Sequence, residues 1–364
     1  TIVFTFDGDL WKVPAQGGSA LRLTAMQGEE TRAKFSPDGK WIAFTGSQNG
    51  NQDVYIIPAT GGEIKQLTFH EAYDHVDNWS WDSQSIYFTS SRYSRFSGYK
   101  VSVNGGTPAR LFDHYFHTVH NLAEHPNGEL FFSETWESKN QAYRKGYKGA
   151  YNPDIQSWNA STNTFKKYTD YNGKDMWPSI DKNGNVYFIS DEGNGEYNLY
   201  AFKDGKKTAL TTFPTSIRYP VVSADGSRVV FEKDFQIFSY DPKTNATQKV
   251  NIQAILNTTA EKEKDFDVKD RIGYFDVSED GKKIAFVSRG ELFVSDIKGK
   301  IVQQITTHPL GRVLEVKWLA DNKTLLYGQT SLNGFTNWYT IAADGTGKEK
   351  QLTNDAQNNR DITL

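Results

Sequence analysis

The chain has 364 residues, 41 lysines and arginines against 44 aspartates and glutamates, a net charge of −3, and no cysteine. This composition excludes disulfides, thiolate nucleophiles and cysteine metal sites, and it leaves neither a basic footprint for nucleic acid nor a polybasic membrane anchor. No apolar run approaches the roughly 18 residues that a membrane-spanning helix needs.

The first segments, Ile2–Phe6, Asp9–Pro14 and Leu21–Thr24, alternate in hydrophobicity like three strands of one repeat. They precede the stretch around which the chain is organised, Phe35-Ser-Pro-Asp-Gly-Lys-Trp-Ile-Ala-Phe44. Copies recur about every 45 residues, at Trp79–Phe88, His125–Gly128, Asp181–Phe188, Ser223–Phe231, Ser278–Phe286 and Leu319–Tyr327. Each copy predicts a hairpin, with Asp-Gly supplying the positive backbone angles of a tight primed turn and alternating apolar residues forming the strand after it. The turn position is held by Gly39, Ser83, Gly128, Gly184, Gly226, Gly281 and Asn322. Serine tolerates a left-handed conformation poorly, so a different turn type is expected at Ser83. A second hairpin and a closing strand follow each copy, as in Asp53–Pro58, Gly61-Gly62 and Lys65–Thr68. Four strands per repeat is the unit of a β-propeller blade, and the fold class expected is all-β.

The interval between Gly226 and Gly281 is longer than most, and its excess is the polar, charged stretch Asn251–Asp270, read as a linker with at most a turn of helix. Two arrangements fit. A strand at Arg360–Leu364 could complete the amino-terminal blade and close an eight-bladed ring. Alternatively, residues 1–255 form a six-bladed propeller, 256–270 a linker and 271–364 about two blades of an incomplete second propeller; the long interval favours this division. The other long unit carries an insertion, Gln141–Asp154, rich in glycine, tyrosine and lysine. Loops are where propellers carry function, so Lys145, Tyr147 and Lys148 are candidate contacts.

Two of these stretches also carry a resemblance. The Ser-Pro-Asp-Gly repeats resemble TolB-like and prolyl-oligopeptidase-type propellers, which serve many functions. Lys145-Gly-Tyr-Lys-Gly149 with Trp158, and Ala285-Phe-Val-Ser-Arg-Gly-Glu-Leu-Phe293, resemble the corresponding segments of the tricorn protease family. That similarity covers the whole chain, as a six-bladed propeller and the start of a seven-bladed one. In that family the catalytic serine, histidine and their partners lie in later domains, so no catalytic residue carries over. The resemblance implies a noncatalytic propeller region of a serine peptidase, which gates or binds peptides for a catalytic domain outside this chain. The rival reading is a TolB-like scaffold for protein–protein interaction.

No motif assembles a metal or cofactor site. His70 and His75 are five apart rather than the four a zinc helix needs, His114, His117, His120 and His125 read as polar residues between blades, and Asp181–Asn185 reads as a turn. No Gly-x-Ser-x-Gly elbow is present. The channel remains: the first strand of each blade lines a propeller's axis, which marks Glu30, Arg32, Asp77, His120, Trp177, Arg218 and Tyr219. Acid, base and aromatic groups together suit an extended peptide. Arg32 and Arg218 are expected at matching positions, where a guanidinium can hold a peptide carboxylate through two parallel hydrogen bonds. The absence of cysteine fits either side of a membrane, a periplasmic or extracytoplasmic setting being favoured over a cytoplasmic one.

Overall fold

The structure is a computed structural model that describes residues 1–93, 95–113, 118–203, 205–255, 266–331 and 334–363. Its repeated local element is the serine–aspartate turn. Gly39 N–H donates to the Ser36 carbonyl at 2.8 Å, the Ser36 hydroxyl donates to the Asp38 carboxylate at 2.6 Å, and Trp41 N–H donates back to the Ser36 hydroxyl at 3.0 Å. Ser80–Asp82, Ser223–Asp225 and Ser278–Asp280 repeat the network. Gly39 has φ +72° while Asp38 stays outside the left-handed region. The turn is therefore type I followed by one left-handed residue, not the primed turn expected, because the serine and aspartate side chains close the loop in its place.

Ser83 departs from expectation too. It keeps the same turn, with φ +58° and its N–H on the Ser80 carbonyl at 2.9 Å. Left-handed backbone costs a non-glycine residue about 1 kcal/mol. Here the Ser83 hydroxyl offsets that cost by accepting Asp38 N–H of the preceding repeat at 3.2 Å. Asn322, with φ +53°, likewise accepts Asp280 N–H at 3.1 Å. The two non-glycine turn residues are thus clasps between neighbouring repeats.

The chain divides into two units, Thr1–Leu256 and Asn257–Leu364. The first is a β-propeller of six four-stranded sheets. Blade 1 combines Ile2–Phe6, Asp9–Val13 and Gly18–Arg22 with Ile252–Ala254, which runs parallel to Gly18–Arg22 at the outer edge. Blades 2 to 6 each open on an innermost strand: Glu30–Phe35, Asp74–Trp79, His120–Glu124, Asp175–Ile180 and Ile217–Val222. Apolar side chains interleave between adjacent sheets. Leu10, Ile42 and Phe44 sit between blades 1 and 2, Ala43, Ile56 and Phe88 between 2 and 3, and Ile2, Trp11 and Val13 meet Val230 and Ile237 between blades 1 and 6. Each sheet is buried on both faces by its neighbours, which is why the second strands are nearly continuous apolar runs such as Val186–Ser190. Blade 1 differs at its innermost strand: Ile2–Phe6 pairs with Asp9–Val13 without a register break, and Thr5 and Phe6 are exposed.

The second unit holds two four-stranded sheets, opening at Ile272–Val277 and Val313–Trp318, around a core of Val287, Val294, Val316, Leu325 and Tyr327. In the stretch read as a linker, Ile252–Ala254 is a strand rather than a helical turn, and residues 256–265 lie outside the described residues. Arg360–Thr363 is not a strand. Its backbone is claimed by a carboxylate instead: Asp361 and Ile362 N–H donate to Glu315 at 3.0 and 3.1 Å.

Candidate functional site

The innermost strands of blades 2 to 6 each carry a β-bulge at the same place. Register breaks between Thr31 and Lys34, Val76 and Asn78, His120 and Ala123, Met176 and Ser179, and Arg218 and Val221. At four of the five the bulge residue is left-handed: Arg32 at φ +57°, Asn121 at +53°, Trp177 at +64° and Tyr219 at +53°. An extra residue in one strand re-aims its side chain out of the pleat. Strained, non-glycine bulges at equivalent places mark a site held against local preference.

Four of these strands, those of blades 2, 4, 5 and 6, converge on one cleft of about 530 Å³, lined by Arg32, Asn121, Trp177, Arg218 and Tyr219, with Lys139 and Tyr143 from the segment before Gln156. The Trp177 and Tyr219 rings stack at 4.7 Å and 17°. Arg32 and Arg218 share the cleft but do not match: Arg32 aligns with Tyr219, and Arg218 stands one residue earlier, opposite Glu232. The bulge shifts the register by one, which spacing alone hides. Among the described residues neither guanidinium has a carboxylate within salt-bridge distance.

Asp77 and His120 stand behind the cleft rather than in it, both buried. Asp77 accepts the Thr89 hydroxyl at 2.6 Å; burial pushes its carboxyl up, opposed by the charges of Arg32 and Lys139. His120 is held neutral, its pKa lowered to about 3 by burial and by Lys139. His75 contacts Gln52 Oε1 at 2.7 Å, and burial with the Arg32 and Lys139 charges lowers it to about 2. Lys139 itself is lowered to about 8, by burial first and Arg32 second, and so stays mostly protonated at neutral pH. Glu30, also buried, is raised to about 7 chiefly by burial and accepts the Thr24 hydroxyl at 2.8 Å. The cleft therefore presents three cations, an amide and a stacked aromatic pair, with one carboxylate behind them. Such a surface can take an anion at one end and an apolar chain along its rings.

Lys139 closes the short helix Trp136–Lys139, which sequence reasoning missed. The helix and the following loop are anchored to blade 5. Buried Glu137 pairs with Arg144 and, at 3.0 Å, with fully buried Lys174, whose ammonium also donates to the Gln141 carbonyl at 2.6 Å. Lys145 is engaged by Glu196 at 2.6 Å and lines a second cleft, of about 690 Å³, that shares Tyr143, Tyr197 and Arg218 with the first. Tyr147 lies under the Arg144 guanidinium at 4.2 Å, and exposed Lys148 lines neither cleft. Asn121 also went unnoticed; once the copies are aligned on their bulges it falls at the Arg32 position, and asparagine tolerates left-handed backbone. His114 and His117 lie outside the described residues. Among the described residues no group of three or more acidic or histidine side chains is placed to hold a metal.

Comparison with known proteins bears on what the propeller belongs to. The family model of the tricorn protease N-terminal beta propeller domain matches residues 1–246. The tricorn protease homolog of Saccharolobus solfataricus is 29% identical over 301 residues, covering 80% of this chain and 27% of that protein. The tricorn protease of Thermoplasma acidophilum is 28% identical over 224 residues, covering 59% of this chain and 19% of that one. The chain thus spans about a quarter or less of these relatives' length. A crystal structure of the tricorn protease superposes with a TM-score of 0.61 at 23% identity, over 96% of this chain and 34% of that chain, a likeness of fold.

Proposed function

Because the chain belongs to the family of the tricorn protease N-terminal β-propeller domain, we propose that its first unit is a noncatalytic peptide-binding propeller of a tricorn-like serine peptidase. It holds an extended peptide by its terminal carboxylate and presents or gates it for a catalytic domain outside these 364 residues. The observation that carries this reading is the cleft: Arg32, Arg218 and Lys139 face one space beside the Trp177–Tyr219 stack, and among the described residues neither guanidinium forms a salt bridge. Guanidinium matches carboxylate geometry through two parallel hydrogen bonds. Short peptides with a free carboxy terminus should bind about tenfold or more tightly than their amides, the size of one charge-assisted hydrogen bond; equal affinity by calorimetry contradicts the reading. Turnover of model peptides by the isolated chain, surviving a serine-peptidase inhibitor control, contradicts the noncatalytic role. The division of the chain into residues 1–255, a linker 256–270 and the start of a second propeller over 271–364 belongs to the same proposal. Limited proteolysis should then nick between Asn257 and Lys269 and leave a folded amino-terminal piece.

A further inference from the structure

Among the described residues three two-residue hairpin loops turn through two left-handed residues. Asp7 and Gly8 have φ +51° and +84°, Arg289 and Gly290 have +54° and +89°, and Asp234 and Phe235 have +49° and +59°. The second position of such a turn is glycine's, because a Cβ crowds the backbone there. In blade 6 it holds a phenylalanine that is 96% exposed. Packing within the fold does not explain a strained backbone carrying a large apolar ring into water. Local rules broken without a structural gain are the mark of a functional residue.

Phe235 stands at the second cleft with Tyr143, itself 66% exposed, and with Arg218, which also lines the first. The two clefts adjoin, with Tyr143, Tyr197 and Arg218 in the walls of both. We propose that Phe235, with Tyr143, is the specificity element of the channel: it covers a large apolar side chain of a peptide whose terminal carboxylate is held deeper, at Arg218 and Arg32. The inference rests on the peptide-binding reading above and adds to it a residue preference and a polarity, carboxylate inward and apolar residue at the mouth. An aromatic anchor presented by a rigid two-residue turn loses little conformational freedom on contact, which is why the strain is tolerated.

The test is Phe235→Gly, which fits the turn better and should melt no lower than the wild type. The probes are acetylated alanine hexapeptides with free carboxy termini, carrying a single leucine or phenylalanine moved along the chain. In the wild type one position should bind about tenfold tighter than all-alanine, the gain from covering one large apolar side chain. In Phe235→Gly that gain, read as the ratio of each substituted peptide to all-alanine on the same protein, should disappear. A gain that persists in the variant overturns the assignment of Phe235. So does a variant that changes only the sedimentation of the protein, since the ring then serves contact between copies. If all-alanine peptides fail to bind the wild type at all, the channel reading fails and takes this inference with it.

Discussion

The innermost strand of each complete blade has two ends of opposite character. At its carboxyl end blades 2, 3 and 6 repeat one serine–aspartate turn almost bond for bond, as does the first sheet of the second unit. At its amino end blades 2 to 6 break register at the same point but present different side chains there: Arg32, Asp77, Asn121, Trp177 and Tyr219. The turns are low-energy closures that any blade can use, and they specify the ring. Four of the five bulge residues, all but Asp77, are strained and line a shared cleft, and they vary, which is how a repeated architecture builds one asymmetric site. The same logic separates blade 1, whose inner strand carries no bulge, from the five bulged blades, four of which line the cleft.

Several changes break or sharpen this contrast. The largest effect is expected where the segment bearing Lys139 is tied down. Glu137→Ala leaves Lys174 buried without its carboxylate and should cost about 3–5 kcal/mol in denaturant unfolding, while Glu137→Ala with Lys174→Met should recover much of that loss. A single variant no less stable than wild type would show that the anchor is dispensable.

Behind the bulges, His75 and His120 should remain neutral to about pH 4 by NMR, given pKa values of about 2 and 3. The unfolded chain binds their protons below about 6.5 and the native state does not. Each histidine therefore removes up to about 1.4 kcal/mol of stability per pH unit as pH falls from 6.5 towards the folded values. Glu30 acts in the other direction: its native carboxyl takes up a proton near 7 and the unfolded one near 4.5, which adds stability across that window as pH falls. An imidazole that titrates near 6.5 contradicts the buried placement.

The smallest effects belong to the turns. Ser83→Gly relieves the left-handed strain but loses the bond from Asp38, so stability should change by less than about 0.5 kcal/mol; Ser83→Ala keeps the strain, loses the bond and should cost about 1 kcal/mol. At low pH the turn aspartates report on themselves. Asp225 is lowered to about 2, first by the Ser223 hydroxyl and then by Ser227 N–H, and Asp38 is lowered too, with the Ser36 hydroxyl as its first cause. Their contribution is present above the ordinary carboxyl range and is lost as pH falls from about 4 towards 2. Asp225→Asn should flatten that loss.

The fold was legible because each repeat carries its own turn signature: Ser36, Asp38 and Gly39 specify a closure locally, and period-two strands follow. The candidate site was legible only in part. Arg32, Trp177, Arg218 and Tyr219 could be placed on the axis because an innermost strand has nowhere else to point. Their register could not, since a bulge adds a residue without a composition signal. Lys139 and Tyr143 reach the cleft through a helix of one turn and a buried ion cluster, contacts that depend on Lys174 more than thirty residues away in the chain. Phe235 reads in the sequence as one more strand aromatic, and only the backbone of its turn shows that it points into solvent.

The claim that the varied ends of these strands form a carboxylate-binding channel is tested most directly by a thermodynamic cycle. One short peptide, with a free or an amidated carboxy terminus, is titrated into the wild type, Arg32→Ala and Arg218→Ala. Arg218→Ala should lose about 1.5–3 kcal/mol for the free acid and nothing for the amide, the signature of a charge-assisted bond to the carboxylate. Arg32→Ala should follow the same pattern. Equal, weak binding in every combination would contradict it and leave both arginines as channel structure.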